Sequence, residues 1–153
     1  EFHQKSVTMV SELFGTDDSI YESSKKVMAL FEERMVTFVG GHCCLVWLIC
    51  REAKTFHTTS HHTHPKPVSL PPGTGILGAV VANRRTFGAN RWRESSVYSG
   101  AIDVATGLIR ASSLAAPLID ARRQVVGVVE VVATELPRAF TKLDKNLLEM
   151  GAA

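Results

Sequence analysis

No stretch of this 153-residue chain approaches the roughly 20 apolar residues that cross a bilayer as a helix. The richest segment, Leu114 to Val132, is broken by Pro117 and by Asp120, Arg122, Arg123 and Glu130. With no basic-then-apolar leader either, a soluble, cytoplasmic chain is expected. Charge of one sign is missing too: 17 bases against 15 acids leave a net charge of +2, which argues against a dominant polyanionic partner. Cysteine is scarce. The three present, Cys43, Cys44 and Cys50, are odd in number and crowd into one apolar stretch, which fits a reducing interior better than a disulfide framework. As strand neighbours Cys43 and Cys44 would point to opposite faces, so their adjacency makes neither a metal site nor a redox pair. Internal repeats, low-complexity tracts and a Gly-x-Ser-x-Gly nucleophile motif are all lacking.

What is there is ordinary for a folded domain: 45% hydrophobic residues, 21% charged, and a length that buries one core rather than two. The chain opens on Glu1 and ends on Gly151-Ala152-Ala153 inside an unfinished helical pattern. A fragment of a larger protein is expected, with residues 1–18 a helical lead-in and 19–153 a single domain.

Val27, Phe31, Met35 and Phe38 recur at helical spacing behind the capping-box pattern Ser19-Ile20-Tyr21-Glu22, predicting one long amphipathic helix. A shorter helical piece is expected over 4–14, with a break at 15–18. The run Leu45-Val46-Trp47-Leu48-Ile49, within 42–50, is too short for a core helix and rich in strand formers, so it predicts a first strand. Residues 54–60 and 65–70 read as further extended pieces around a histidine-rich loop. After the break at Pro71-Pro72-Gly73, the positions of Ile76, Leu77, Val80 and Val81 predict a short helix from 74 to 83. Residues 91–107 read as an irregular surface segment with room for one helical turn. Two apolar runs, 113–119 and 124–133, joined by Asp120-Ala121-Arg122-Arg123, predict an antiparallel hairpin deep in a sheet. Thr141, with Asp144 three residues on, starts a last helix carrying Leu143, Leu147 and Met150 on one face. This order of elements predicts an α+β domain around an antiparallel sheet.

Five constellations bear on chemistry. Thr74-Gly75-Ile76-Leu77-Gly78 sets a bare helix N-terminus after a turn, which suits either a ligand cradle or close packing of helix on sheet. Glu130 is the one charged residue within 125–132, and period two places it with Val126, Val128 and Val132. A carboxylate on a buried face needs a partner, either a ligand's donor or a structural Arg such as Arg110, and the pattern alone favours a structural or solvent-facing Glu over a ligand role. Asp103 and Thr106 lie just before a core strand, where they fit a lid over a bound molecule or plain turn chemistry. His57, His61, His62 and His64 suggest zinc, but His61-x-x-His64 lacks a second ligand pair, so a solvated loop is the stronger reading. Arg84, Arg85, Arg91 and Arg93 around Trp92 suit phosphates or a stacked base, against which the balanced charge of the chain argues.

Taken in order, Leu70-Pro71-Pro72-Gly73-Thr74-Gly75-Ile76-Leu77-Gly78, Phe87-Gly88-Ala89-Asn90, Asp103-Val104-Ala105-Thr106-Gly107, Ser113-Leu114-Ala115-Ala116-Pro117-Leu118-Ile119 and Val125-Val126-Gly127-Val128-Val129-Glu130 resemble the GAF family, above all the regulatory GAF domains of cyclic-nucleotide phosphodiesterases. The resemblance covers about residues 20–153. It implies a GAF/PAS-like antiparallel sheet of about six strands, with terminal helices on one face that pair into a homodimer and a ligand pocket on the other. It implies Cys44, Ile76, Leu77, Asp103, Thr106, Arg110 and Glu130 as pocket residues. The positions matching the family's Asn-Lys-Phe-Asp-Glu signature read Ala133, Thr134, Phe140, Asp144 and Lys145. The Lys that would brace the Asp is lost. Arg110 replaces a small hydroxyl residue, and there it either fills part of the pocket or pairs with Glu130. The family's methionine sulfoxide reductases and bilin-attaching members need cysteines on pocket loops, and these loops have none.

Two functions follow from the resemblance. One is a regulatory sensor that binds a small molecule, a cyclic nucleotide such as cAMP or cGMP, with no other cofactor and no metal, and controls an effector in the same chain such as a phosphodiesterase. The other is a dimerisation or protein-interaction module with a vestigial pocket. Neither includes catalysis by the domain itself, nor a nucleic-acid or membrane partner.

Overall fold

The computed structural model describes residues 18–39, 41–58, 68–135 and 140–152. The expected helix over 4–14 and His61, His62 and His64 lie outside them. Helix α1 (Asp18–Val39) buries Phe31 and Met35 of the predicted pattern, with Val39 as a further buried position. Strands β1 (Cys43–Ile49), β2 (Phe56–Thr58) and β3 (Val68–Leu70) follow, then helix α2 (Gly75–Asn83) and strand β4 (Phe87–Ala89). After a 3-10 turn at Trp92–Glu94 come helix α3 (Gly100–Thr106), the hairpin β5 (Ser112–Ile119) and β6 (Val125–Ala133), and helix α4 (Lys142–Ala152).

The six strands form one antiparallel sheet in the order β3-β2-β1-β6-β5-β4. The longest and most apolar strands, β1, β5 and β6, sit at its centre, where both faces are covered and alternation of apolar with polar residues is not needed. Two expectations change. The segment read as irregular supplies the seven residues of α3, and Phe87–Ala89 supplies the sixth strand.

Each central strand divides its side chains between two apolar clusters. Cys44, Val46, Leu114, Leu118, Val129 and Val131 pack under α1 and α4. Cys43, Leu45, Trp47, Ala115, Val128 and Val132 pack under α2 and α3. Val126 departs from the period-two reading: at Leu118/Ile119 the register slips, with Leu118 opposite Gly127 and Ile119 opposite Val125. The extra residue of this bulge is Val126, which turns to the α1/α4 side while Val128, Glu130 and Val132 share the other.

The last helix has its predicted reciprocal cap: Thr141 N–H donates to Asp144 Oδ2 at 2.8 Å and Asp144 N–H to Thr141 Oγ1 at 3.2 Å. Its core residue, though, is Leu148, fully buried, whereas Leu143 and Met150 are 65% and 68% exposed. Of the predicted stripe only Leu147 packs, half-buried, against the core. Among the described residues no helix is long and apolar enough to cross a membrane.

Candidate functional site

Glu130 lies at the middle of β6, opposite Leu45 of β1 and Ala115 of β5. The diagonal neighbours on the same face are Trp47 and Ser113, and both reach it: Trp47 Nε1 donates to Oε1 at 3.2 Å and Ser113 Oγ to Oε2 at 2.6 Å. The remaining capacity is taken by Arg110, two residues before β5. Its Nε donates to Oε2 at 2.8 Å and its Nη2 to Oε1 at 2.9 Å, a two-pronged guanidinium–carboxylate pair with both side chains wholly buried.

Helix α3 closes over this pair. Gly107, at φ +69°, ends the helix with its N–H on Asp103 O at 2.9 Å and turns the chain so that Arg110 points back beneath it. Arg110 Nη1 then donates to Asp103 Oδ1 at 2.8 Å and to Thr106 Oγ1 at 3.1 Å, while Thr106 donates its own hydroxyl to Ile102 O at 2.7 Å. The other Asp103 oxygen accepts from Trp92 Nε1 at 2.9 Å. The Trp92 ring lies 5.8 Å from the Arg110 guanidinium, and Tyr98 packs edge-on against that ring at 5.5 Å.

A carboxylate offers about four acceptor positions, and Glu130 accepts four hydrogen bonds. The site is saturated by its own chain. It also holds two carboxylates against one guanidinium, with Asp103, its side chain 19% exposed, as the only one of the three that touches water. Burial alone would raise the Glu130 pKa, but the Arg110 charge and hydrogen bonds, with those of Ser113 and Trp47, outweigh it and hold the carboxyl below its ordinary value. Arg110 shows the converse: burial opposes its charge, and Glu130 and Asp103 more than restore it.

Four of the seven expected pocket residues, Asp103, Thr106, Arg110 and Glu130, therefore meet at one point, and of the two roles expected for Arg110 the pairing with Glu130 holds. Ile76 and Leu77 are fully buried in the apolar cluster on the same face, with Ile102. Cys44 does not join them. Strand alternation sends it beneath α1 and α4, and its neighbour Cys43 takes the site side. Burial first, then the nearby Glu130 charge, pushes the Cys43 thiol up to about 11, and burial raises Cys44 as well, so neither is a thiolate at neutral pH.

The glycines of α2 serve close packing: a Cβ on Gly75 would lie 2.7 Å from Ser99 Cβ, and one on Gly78 2.4 Å from the carbonyl carbon of Gly73. Trp92 is buried on Asp103 and cannot stack on a base between arginines. His57 pairs with Thr55 at 2.6 Å, and the described residues contain no group of three or more His, Cys, Asp or Glu placed for a metal ion. Trp47 and Ser113 belong to the site without any signal for it in the sequence pattern alone, and Trp92 joins it through Asp103. A Trp and a Ser on the same face as Glu130 were a usable signal, but only once the register of β1 and β5 against β6 is known. A separate hollow of about 440 Å³ opens between β4 and α4, lined by Gly88, Asn90, Leu114, Phe140, Lys142 and Lys145 among others.

The GAF domain family profile matches residues 30–153. No curated protein matches the chain at a significant level. Among solved structures the chain is similar to the GAF domain from an Acinetobacter phosphoenolpyruvate-protein phosphotransferase, at 16% identity and a TM-score of 0.65 over 100% of this chain and 90% of that one. It is also similar to the free methionine-R-sulfoxide reductase from Neisseria meningitidis in complex with its substrate, at 14% identity and TM-score 0.67 over 98% and 83%. The second GAF domain of DevS from Mycobacterium smegmatis aligns at 18% identity and TM-score 0.64 over 83% and 86%. Identities this low establish the shared fold alone, and none of the three is a cyclic-nucleotide phosphodiesterase.

Proposed function

The chain belongs to the GAF domain family, and we propose that it is a regulatory interaction module of a signalling protein, one whose polar pocket is filled by its own Arg110. The observation that carries this is the saturation of Glu130 by Arg110, Ser113 and Trp47. A ligand entering here has to displace an arginine from two carboxylates, and an anionic phosphate has to enter a site that already carries excess negative charge. Output runs through the terminal helices: Leu143 and Met150 on α4 and Leu30 on α1 are exposed and apolar, and they fit pairing with a second copy into a homodimer. Thiolate chemistry at Cys43 and Cys44 is not part of this reading, since burial keeps both thiols protonated.

The second reading is a small-molecule sensor, which binds a cyclic nucleotide and controls an effector such as a phosphodiesterase. The convergence of Asp103, Thr106 and Glu130 favours it, with α3 as the lid that opens. Thermal unfolding with excess cAMP or cGMP separates the two. A ligand at 100 times its dissociation constant adds about 2.7 kcal/mol. We expect no shift with either nucleotide, together with a concentration-dependent dimer in sedimentation that Leu143→Glu/Met150→Glu dissociates. A clear rise in melting temperature with one nucleotide would replace the first reading by the second.

A further inference from the structure

One end of the sheet gathers positive charge that the composition conceals. Strand β1 runs from Cys43, opposite Val132, to Leu48, opposite Gly127, so its turn into β2 opens at the same end as the turn between β5 and β6. The C-terminus of α2 reaches this end as well, because the Arg84 guanidinium donates to the backbone carbonyl of Arg123. These three loops carry Arg51, Lys54, Arg84, Arg85, Arg122 and Arg123, all exposed. Against them stand Glu52 and Asp120, and Asp120 turns its carboxylate onto the backbone N–H groups of Arg122 and Gln124, both at 2.9 Å. Since the whole chain is only +2, the remainder of it holds more acids than bases.

We propose that this basic end docks an acidic protein segment, whose carboxylates are taken by the guanidinium forks. Five of the six cations are arginines, whose planar donors match a carboxylate in two-pronged fashion where a lysine offers a point charge. Two are already positioned before any partner arrives: Arg84 on the Arg123 carbonyl, and Arg85 with its guanidinium 5.0 Å from the centre of the Phe87 ring. None of the large apolar side chains exposed among the described residues lies in these loops, so there is neither an aromatic platform for bases nor a wedge for a bilayer. Glu52, between Arg51 and Lys54, interrupts the uniform positive surface that a phosphate backbone or an anionic membrane would favour. The surface is separate from the Arg110 site, yet it joins α2, whose Ile76 and Leu77 pack in the apolar cluster on the same face of the sheet, to the β5–β6 hairpin, which carries Glu130. A docked segment therefore grips two elements of that face.

The test is binding of a labelled oligoglutamate peptide, followed by fluorescence anisotropy at low and high salt. Arg51→Glu/Arg85→Glu/Arg122→Glu reverses three charges and spares Arg84 and Arg123, whose contact shapes the turn. Arg93→Glu/Lys142→Glu/Lys145→Glu changes the net charge equally at other places. The wild-type chain should bind and weaken steeply with salt, and the first variant should lose about tenfold or more in affinity with its melting temperature unchanged, while the second loses far less. No binding by the wild type at low salt, or equal losses in the two variants, overturns the proposal. So does tighter retention, dependent on the same three arginines, by phosphatidylserine vesicles or by duplex DNA, since either result assigns the surface to another class of partner.

Discussion

On the α1/α4 side of the sheet, Val46, Leu114, Leu118, Val129 and Val131 meet Phe31, Met35 and Leu148 in a nearly apolar seal, with Glu32, accepting from Val46 N–H at 3.2 Å, as its buried acid. On the other side the same strands present Trp47, Ser113 and Glu130 to Arg110 and Asp103. The two sides fail differently. Dispersion and burial are spread over many contacts, so an apolar seal degrades in proportion to what is removed. A buried charge network holds only while complete, because each partner removed leaves the others desolvated and unpaired.

The largest effect is therefore expected from Arg110→Ala, which leaves Glu130 buried with Ser113 and Trp47 alone and should cost about 3–5 kcal/mol in urea unfolding. Replacing the pair together, Arg110→Met/Glu130→Leu, should recover most of that loss, since well-packed apolar residues often match a buried ion pair. Equal destabilisation of the single and double variants would break the contrast between the two faces. The pH dependence should reverse as well. In the wild type the folded Glu130 pKa lies below the ordinary 4.5, so its contribution is fully present above 4.5 and is lost as pH falls through the folded value. Without Arg110, burial is left to raise that pKa, the protonated folded form is favoured, and stability should instead fall as pH rises toward neutrality.

Next in size is Leu148→Ala on the apolar side, where the side chain is fully buried between α4 and the sheet. A loss of about 2–5 kcal/mol is expected from transfer and cavity terms together. It should be the same at pH 5 and pH 7, because the contacts that Leu148 loses are apolar, although Glu32 is buried on the same side. A pH-dependent loss would show that Glu32 is coupled to this cluster and that the face is less simply apolar than its residue types imply.

How much of this the chain's sequence discloses depends on the distance over which each feature is decided. The β5–β6 hairpin and the cap of α4 are local: apolar runs around Asp120-Ala121-Arg122-Arg123, and Thr141 with Asp144, carry their own signals. Strand β4 has three residues with Gly88 at the centre, and it becomes a strand only because β5 lies beside it. Helix α3 is similarly tertiary, held by Ile102 in the core and by Asp103 and Thr106 on Arg110. Cys44 and Val126 went to the wrong face for two reasons. Positional matching to a family does not fix strand parity, and a single bulge residue inverts it. For Glu130 the apolar strand shows only that a buried carboxylate needs a partner; that the partner is Arg110 and not a ligand's donor is decided by the fold. Their companions Trp47 and Ser113 required the sheet register.

The smallest effect predicted concerns the joint between the two faces. Asn90 leaves β4 two residues before Trp92, which holds Asp103 on the site side. Its amide oxygen accepts Phe140 N–H at 2.8 Å and its Nδ2 donates to Phe140 O at 3.4 Å, next to the cap that starts α4. One short segment thus touches both α3, through Asp103, and the start of α4, through Phe140. Asn90→Ala should cost only about 1 kcal/mol, the net worth of an ordinary hydrogen bond with its partner partly open to water. Its informative readout is cooperativity. Trp47 and Trp92 report the site side by fluorescence, whereas far-ultraviolet circular dichroism is weighted toward the long α1 and α4. In the wild type the two signals should melt together. If Asn90 joins the faces, the two transitions should separate in Asn90→Ala, with α4 loosening before the tryptophans change. Coincident transitions in the variant would mean that the sheet itself joins the faces and that the grip on Phe140 serves only to begin the helix.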